Sequence, residues 1–69
     1  MIEVFKTNIT EEAIAESILK ELIAFMPNST INFDLEDCDN ILRVTNCSFH
    51  ATEVILVLNK NGYECQILE

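Results

Sequence analysis

Ile31-Asn32-Phe33-Asp34-Leu35-Glu36, then Asp37-Cys38-Asp39-Asn40, then Ile41-Leu42-Arg43-Val44-Thr45 is the stretch that decides the fold. Ile31, Phe33 and Leu35 alternate with Asn32, Asp34 and Glu36, the period of a strand with one buried face. Asp37 to Asn40 is turn chemistry, because Asp and Asn side chains satisfy nearby backbone donors. Ile41 to Thr45 then returns as a strand, with Leu42 and Val44 on one face and Arg43 on the other. So short a connection makes the pair a hairpin.

Outward from the hairpin, each flank reads as a helix and then a strand. On the N-terminal side Thr10 is a candidate N-cap, and Glu11 and Glu12 suit the positive end of a helix dipole. Ala15, Ile18, Leu19, Leu22, Ile23 and Met26 recur at helical spacing, and Ile14 and Phe25 widen the stripe. Pro27-Asn28-Ser29 ends the helix. On the C-terminal side Ser48 is positioned to cap a second helix running to about Lys60. Ala51, Val54, Ile55 and Leu58 form its inward stripe, and Asn61-Gly62 closes it, Gly tolerating the left-handed conformation of a C-cap. Val54 to Leu58 also reads as a strand, but the cap, the stop and the length favour helix. The first strand is Ile2 to Lys6, carrying Ile2, Val4 and Phe5. The last has Tyr63, Cys65 and Ile67 alternating with Glu64 and Gln66.

The order β-α-β-β-α-β predicts a ferredoxin-like α+β sandwich spanning residues 1–69 as one domain. Right-handed crossovers place the antiparallel strands in the order 4-1-3-2, with both helices on one face. The open face is expected to carry Glu3, Asn32, Asp34, Glu36, Arg43, Thr45, Glu64 and Gln66.

Composition narrows the function classes. The 69 residues carry a net charge of −8 with only four Lys and Arg, and these are scattered. Lacking a basic stripe to neutralise phosphates, the chain is not expected to bind nucleic acid. No apolar run is long enough to span a bilayer, and the N-terminus has Glu3 before any basic residue and no small-residue cleavage site, so no signal peptide is read and the expectation is a cytoplasmic protein without a membrane partner. The three cysteines, Cys38, Cys47 and Cys65, include no Cys-x-x-Cys pair. An odd count in a small chain fits free thiols in a reducing compartment.

The chain resembles the heavy-metal-associated domains of copper chaperones and metal-transporting ATPases, over nearly its whole length. The resemblance is carried by Ile18, Leu22 and Phe25 at the family's buried helix positions and by Ile31 to Asp37 as its second strand. Leu42-Arg43-Val44 matches its third strand, and Asn61-Gly62-Tyr63 its Gly-Tyr or Gly-Phe close. The family's function rests on Met-x-Cys-x-x-Cys in the first loop, where thiolates at a helix N-terminus grip a soft ion such as Cu(I). Matching the helix places Ile9 at the Met position, Glu11 at the first Cys and Ile14 at the second. None of those ligands is present. Ile9 reads as a loop anchor and Ile14 as an added core residue.

The remaining candidates are few. The family topology puts Cys38 on the hairpin, Cys47 at the opposite end and Cys65 on the inward side of the last strand, so the three are not expected to meet at one ion. Glu36, Asp37 and Asp39 offer oxygens, but the turn is too short for a calcium loop, and weak cation binding is the most it predicts. Ser48 and His50 lack the orienting group and pocket that catalysis requires. No catalytic residue and no cofactor is predicted. Phe5, Ile41 and Leu68 on the open sheet face, and Leu56 and Val57 outside the second helix's stripe, make a candidate partner or homodimer surface. The leading reading is a small non-catalytic interaction or regulatory module on a heavy-metal-associated scaffold without its metal site. The alternative is a diverged metal chaperone or sensor using Cys38 or acidic ligands across a dimer.

Overall fold

The computed structural model describes residues 2–45 and 51–68. Its elements are β1 (Ile2–Thr7), α1 (Glu12–Phe25), β2 (Thr30–Asp34), β3 (Ile41–Thr45), α2 (Ala51–Lys60) and β4 (Cys65–Ile67). β2 and β3 form the expected antiparallel hairpin, with Phe33 opposite Leu42 and Ile31 opposite Val44. β3 pairs with β1 and β1 with β4, again antiparallel, giving the sheet order β2-β3-β1-β4. From the other edge this is the predicted 4-1-3-2.

Register settles which side chains share a face, because residues opposite one another in an antiparallel ladder project to the same side. The rows Phe33–Leu42–Phe5–Ile67 and Ile31–Val44–Glu3 line one face. Ala15, Ile18 and Leu22 of α1 and Val54 and Leu58 of α2 join Phe5, Ile31, Leu42 and Val44 in one buried cluster. Both helices therefore cover that face. The opposite face carries Lys6–Ile41–Asp34 and Val4–Arg43–Asn32 in register.

Several placements differ from expectation. Phe5 was assigned to the open face, yet it is fully buried in the core. In Ile2-Glu3-Val4-Phe5 apolar residues occupy both parities, and pairing with Leu42 and Ile67 selects Phe5 as the inward one. Glu3 consequently shares the core side and sits half-buried at its margin. Ile41 does lie on the open side, but only 4% of it is exposed, so it offers no surface to a partner. Leu68 is partly exposed and donates its N–H to Val4 O at 2.9 Å, extending the β1–β4 pairing by one residue. Val57 flanks the inward stripe of α2 and packs against the core, whereas Leu56, on the far side of the helix, is 66% exposed.

In α1 the buried stripe is Ala15, Ile18 and Leu22, continued by Met26 at the C-cap. At 100° per residue, Ile23 and Phe25 diverge from its centre by roughly 70–90° on opposite sides. Both are exposed, so Phe25 does not fill the buried position that the resemblance gave it. The helix stops before Pro27 as predicted. Its N-cap is Glu11 rather than Thr10, and Glu11 makes no side-chain capping bond.

The end of α2 is closed by Gly62 at φ +91°, with Tyr63 N–H bonding Leu58 O at 3.0 Å and Gly62 N–H bonding Asn59 O at 2.9 Å. This is the paired-bond C-cap that glycine's left-handed conformation permits. The described part of this helix is Ala51–Lys60, and the Ser48 cap and His50 lie outside the described residues, as does Cys47. The two helices are bridged on their solvent side. Lys60 Nζ lies 2.6 Å from Glu21 Oε2, and Asn61 Nδ2 donates to Glu21 Oε1 at 3.2 Å. These bonds hold the Glu21 carboxyl below its ordinary pKa, the Lys60 hydrogen bond contributing most and Asn61 next. No helix among the described residues is long and apolar enough to cross a membrane.

Candidate functional site

At one end of the sheet the β1–α1 loop, the β2–β3 turn and the start of β4 converge, held by hydrogen bonds from two consecutive residues. Thr7 is 5% exposed and works in two directions. Its Oγ1 donates to Asn40 O at 2.7 Å and accepts the Ile9 N–H at 3.2 Å. Its backbone N–H adds a bond to Asp39 O at 3.2 Å. Asn8 faces the other way, its Oδ1 accepting the Glu64 N–H at 2.9 Å. The loop is thus fastened to the hairpin on one side and to the approach to β4 on the other.

The hairpin turn is itself organised to meet it. Asp37 Oδ1 accepts the Asp39 N–H at 2.9 Å, and Asn40 N–H bonds Asp37 O at 3.0 Å. Asn40 takes φ +50°, a left-handed conformation that Asn tolerates better than most residues. Lys6 Nζ approaches Asp39 Oδ1 at 3.8 Å in a solvent-exposed pair.

Within this frame the three positions that the resemblance matched to the family's Met-x-Cys-x-x-Cys motif take up packing and helix initiation. Ile9 is 1% exposed and belongs to the core cluster. Ile14 is half-buried against the same cluster. Glu11 is exposed and extended at the N-cap, where its carbonyl accepts the first helical bond from Ala15 at 3.0 Å. Ile9 and Ile14 offer no donor atom to an ion, and Glu11 alone offers a hard carboxylate.

Other ligand-bearing residues lie nearby. Asp37, Cys38 and Asp39 each present one ligand atom within 4.8 Å of the others. Cys38 is exposed. Cys65, opposite Thr7 in register, sits partly buried beside the loop in a small open depression shared with Asn8, Asn59 and Glu64. Burial pushes the Cys65 thiol up to about 12, so in the metal-free protein it remains protonated at neutral pH. Cys65 is not among the residues of the Asp37–Cys38–Asp39 group. The two interloop side chains that define the frame, Thr7 and Asn8, were not singled out in the sequence. Thr-Asn between a strand and a helix carries no periodic signal.

A four-stranded antiparallel sheet in this order with two helices on one face is a ferredoxin-like α+β fold. No family model matches the chain, and no curated protein sequence matches it. Among solved structures, the chain is similar to the yeast copper transporter domain Ccc2A, whose solution structure describes apo and Cu(I)-loaded states. The TM-score is 0.80 at 18% identity, covering 99% of this chain and 94% of that one. At that identity the likeness is one of fold.

Proposed function

We propose that this chain is a non-catalytic binding module on a heavy-metal-associated scaffold whose ligand loop has been given over to packing. The observation that carries this reading is Ile9. At 1% exposure it is a core residue at the position where the family's motif has its methionine, with no thiol at the two positions that follow in the motif. Partner binding, including association with a second copy, then falls to surfaces, whose exposed large apolar residues include Leu56 on α2, Ile23 and Phe25 on α1, and Ile2 and Leu68 on the open sheet side. The acidic surface and free thiols fit a protein working in a reducing compartment on partners other than nucleic acid.

A second reading is favoured by one specific observation, the close approach of Asp37, Cys38 and Asp39. On that reading the turn supplies a thiolate and carboxylates to an ion shared across a dimer. An anaerobic Cu(I) and Zn(II) titration against a competing chelator separates the two, with Cys38→Ser as the control. The binding-module reading expects nothing tighter than about micromolar for either ion. A stoichiometric complex well below that range, abolished by Cys38→Ser, would overturn it in favour of the second.

A further inference from the structure

A groove runs along the sheet edge between α1 and β2. Leu19, Phe33 and Leu35 form its apolar lining, and Glu12 and Glu16 border it from the helix. Asp34 and Glu36 border it from the strand, and no basic residue is among its described lining residues. Glu12 and Glu16 are one helical turn apart, so both stand on the same side of α1.

β2 is a sheet edge, with a strand neighbour only in β3. Alternate residues of an antiparallel edge strand direct their N–H and C=O groups outward, where another strand can pair with them. Of the usual blunting devices, Thr30–Asp34 contains neither proline nor lysine. The opposite edge, β4, has three residues against five in β2. An accessible edge, an apolar floor and a single-sign rim therefore coincide.

The charge selects the occupant. A second copy of this chain pairing through β2 would bring the same carboxylates against one another in a molecule of net charge −8, which like-charge repulsion opposes. We infer that the groove binds an extended, Lys- or Arg-bearing segment of another protein, which adds a strand to β2. Alternate apolar side chains of that segment rest on Leu19 and Phe33 on the helix side, and its cationic side chains, on the other face of the added strand, reach Asp34 and Glu36. This rests on the binding-module reading and gives it a partner chemistry. Main-chain pairing supplies the geometry, and the rim supplies the preference for cations.

The test is an amide NMR titration of the full chain with the capped peptide acetyl-Lys-Val-Lys-Val-Lys-Val-amide at low salt. Two comparison peptides accompany it, one with Glu for every Lys and one N-methylated at alternate backbone nitrogens. Saturable shifts confined to Thr30–Asp34 and neighbouring α1 are expected with the first peptide alone. The pair Asp34→Asn and Glu36→Gln, neither in the core cluster, is expected to weaken binding at least about threefold while leaving the β1 and β4 amides in place. Equal binding by the N-methylated peptide, shifts scattered over the acidic surface, or no saturation by millimolar peptide would each overturn the inference. So would dilution-dependent shifts in β2 without peptide, which mark a second copy as the occupant. Binding localised to α2 or the open sheet face would sink the groove and keep the module. Tight Cu(I) capture in the separate metal titration would instead sink the module reading.

Discussion

Thr7 has one short side chain and three separate engagements, so its removal is informative. Replacing it with Val keeps the shape and deletes the hydroxyl. Asn40 O loses a donor, and the Ile9 N–H is left without its acceptor in a buried setting. An unsatisfied buried donor costs about 1–3 kcal/mol. Thr7→Val should lower the unfolding free energy by that amount, read as a lower urea midpoint at unchanged m-value, and Thr7→Ser should recover most of it. An unchanged midpoint would mean that water replaces the hydroxyl at no cost. The same residue shows where the sequence was silent. Its bond to Asn40 joins positions 33 apart, and the Asn8 bond to Glu64 joins positions 56 apart. Periodicity reports an element's own faces, and contacts at such separations leave no mark in it. Ile9 and Ile14 were legible because an apolar residue where a ligand belongs is itself a signal. Phe5 was not, because β1 has apolar residues on both parities and only pairing to β3 and β4 chooses between them.

At the scale of elements, the hairpin and both helices were readable because their periods are sustained, while their margins depended on tertiary packing. Phe25 and Val57 lie at the sides of their stripes, where a neighbouring element decides exposure: Val57 finds the core and Phe25 faces solvent. The bridge between α1 and α2 is a pairing that no single helix encodes. Glu21 takes both Lys60 and Asn61. Its folded pKa lies below the ordinary 4.5, so the bridge's contribution to stability is complete above that value and fades as pH falls through the lowered pKa. Glu21→Gln is therefore expected to give a small drop in Tm at neutral pH, closing as the buffer is acidified past that lowered pKa. The gap should also shrink in high salt, since the partners are solvent-exposed. A gap that persists at acid pH would assign the effect to helix propensity instead of charge.

For the molecule as a whole, charge is the dominant surface property. Twelve acidic and four basic residues leave a net −8 on 69 residues, with ion pairs at Lys6–Asp39 and Lys60–Glu21. Self-repulsion of this kind weakens with screening, so the thermal midpoint should rise by a few degrees between about 10 and 200 mM sodium chloride. A falling midpoint would show that the attractive pairs outweigh the repulsion. The β1–α1 loop has a consequence on another axis, that of time. Asn8 is near the start of the chain and its partner Glu64 near the end. During synthesis the first loop can engage the hairpin as soon as Asn40 has emerged, but its second fastening waits for the last strand. The loop region is thus a late-closing seam, completed only when Glu64 has reached Asn8 beside it.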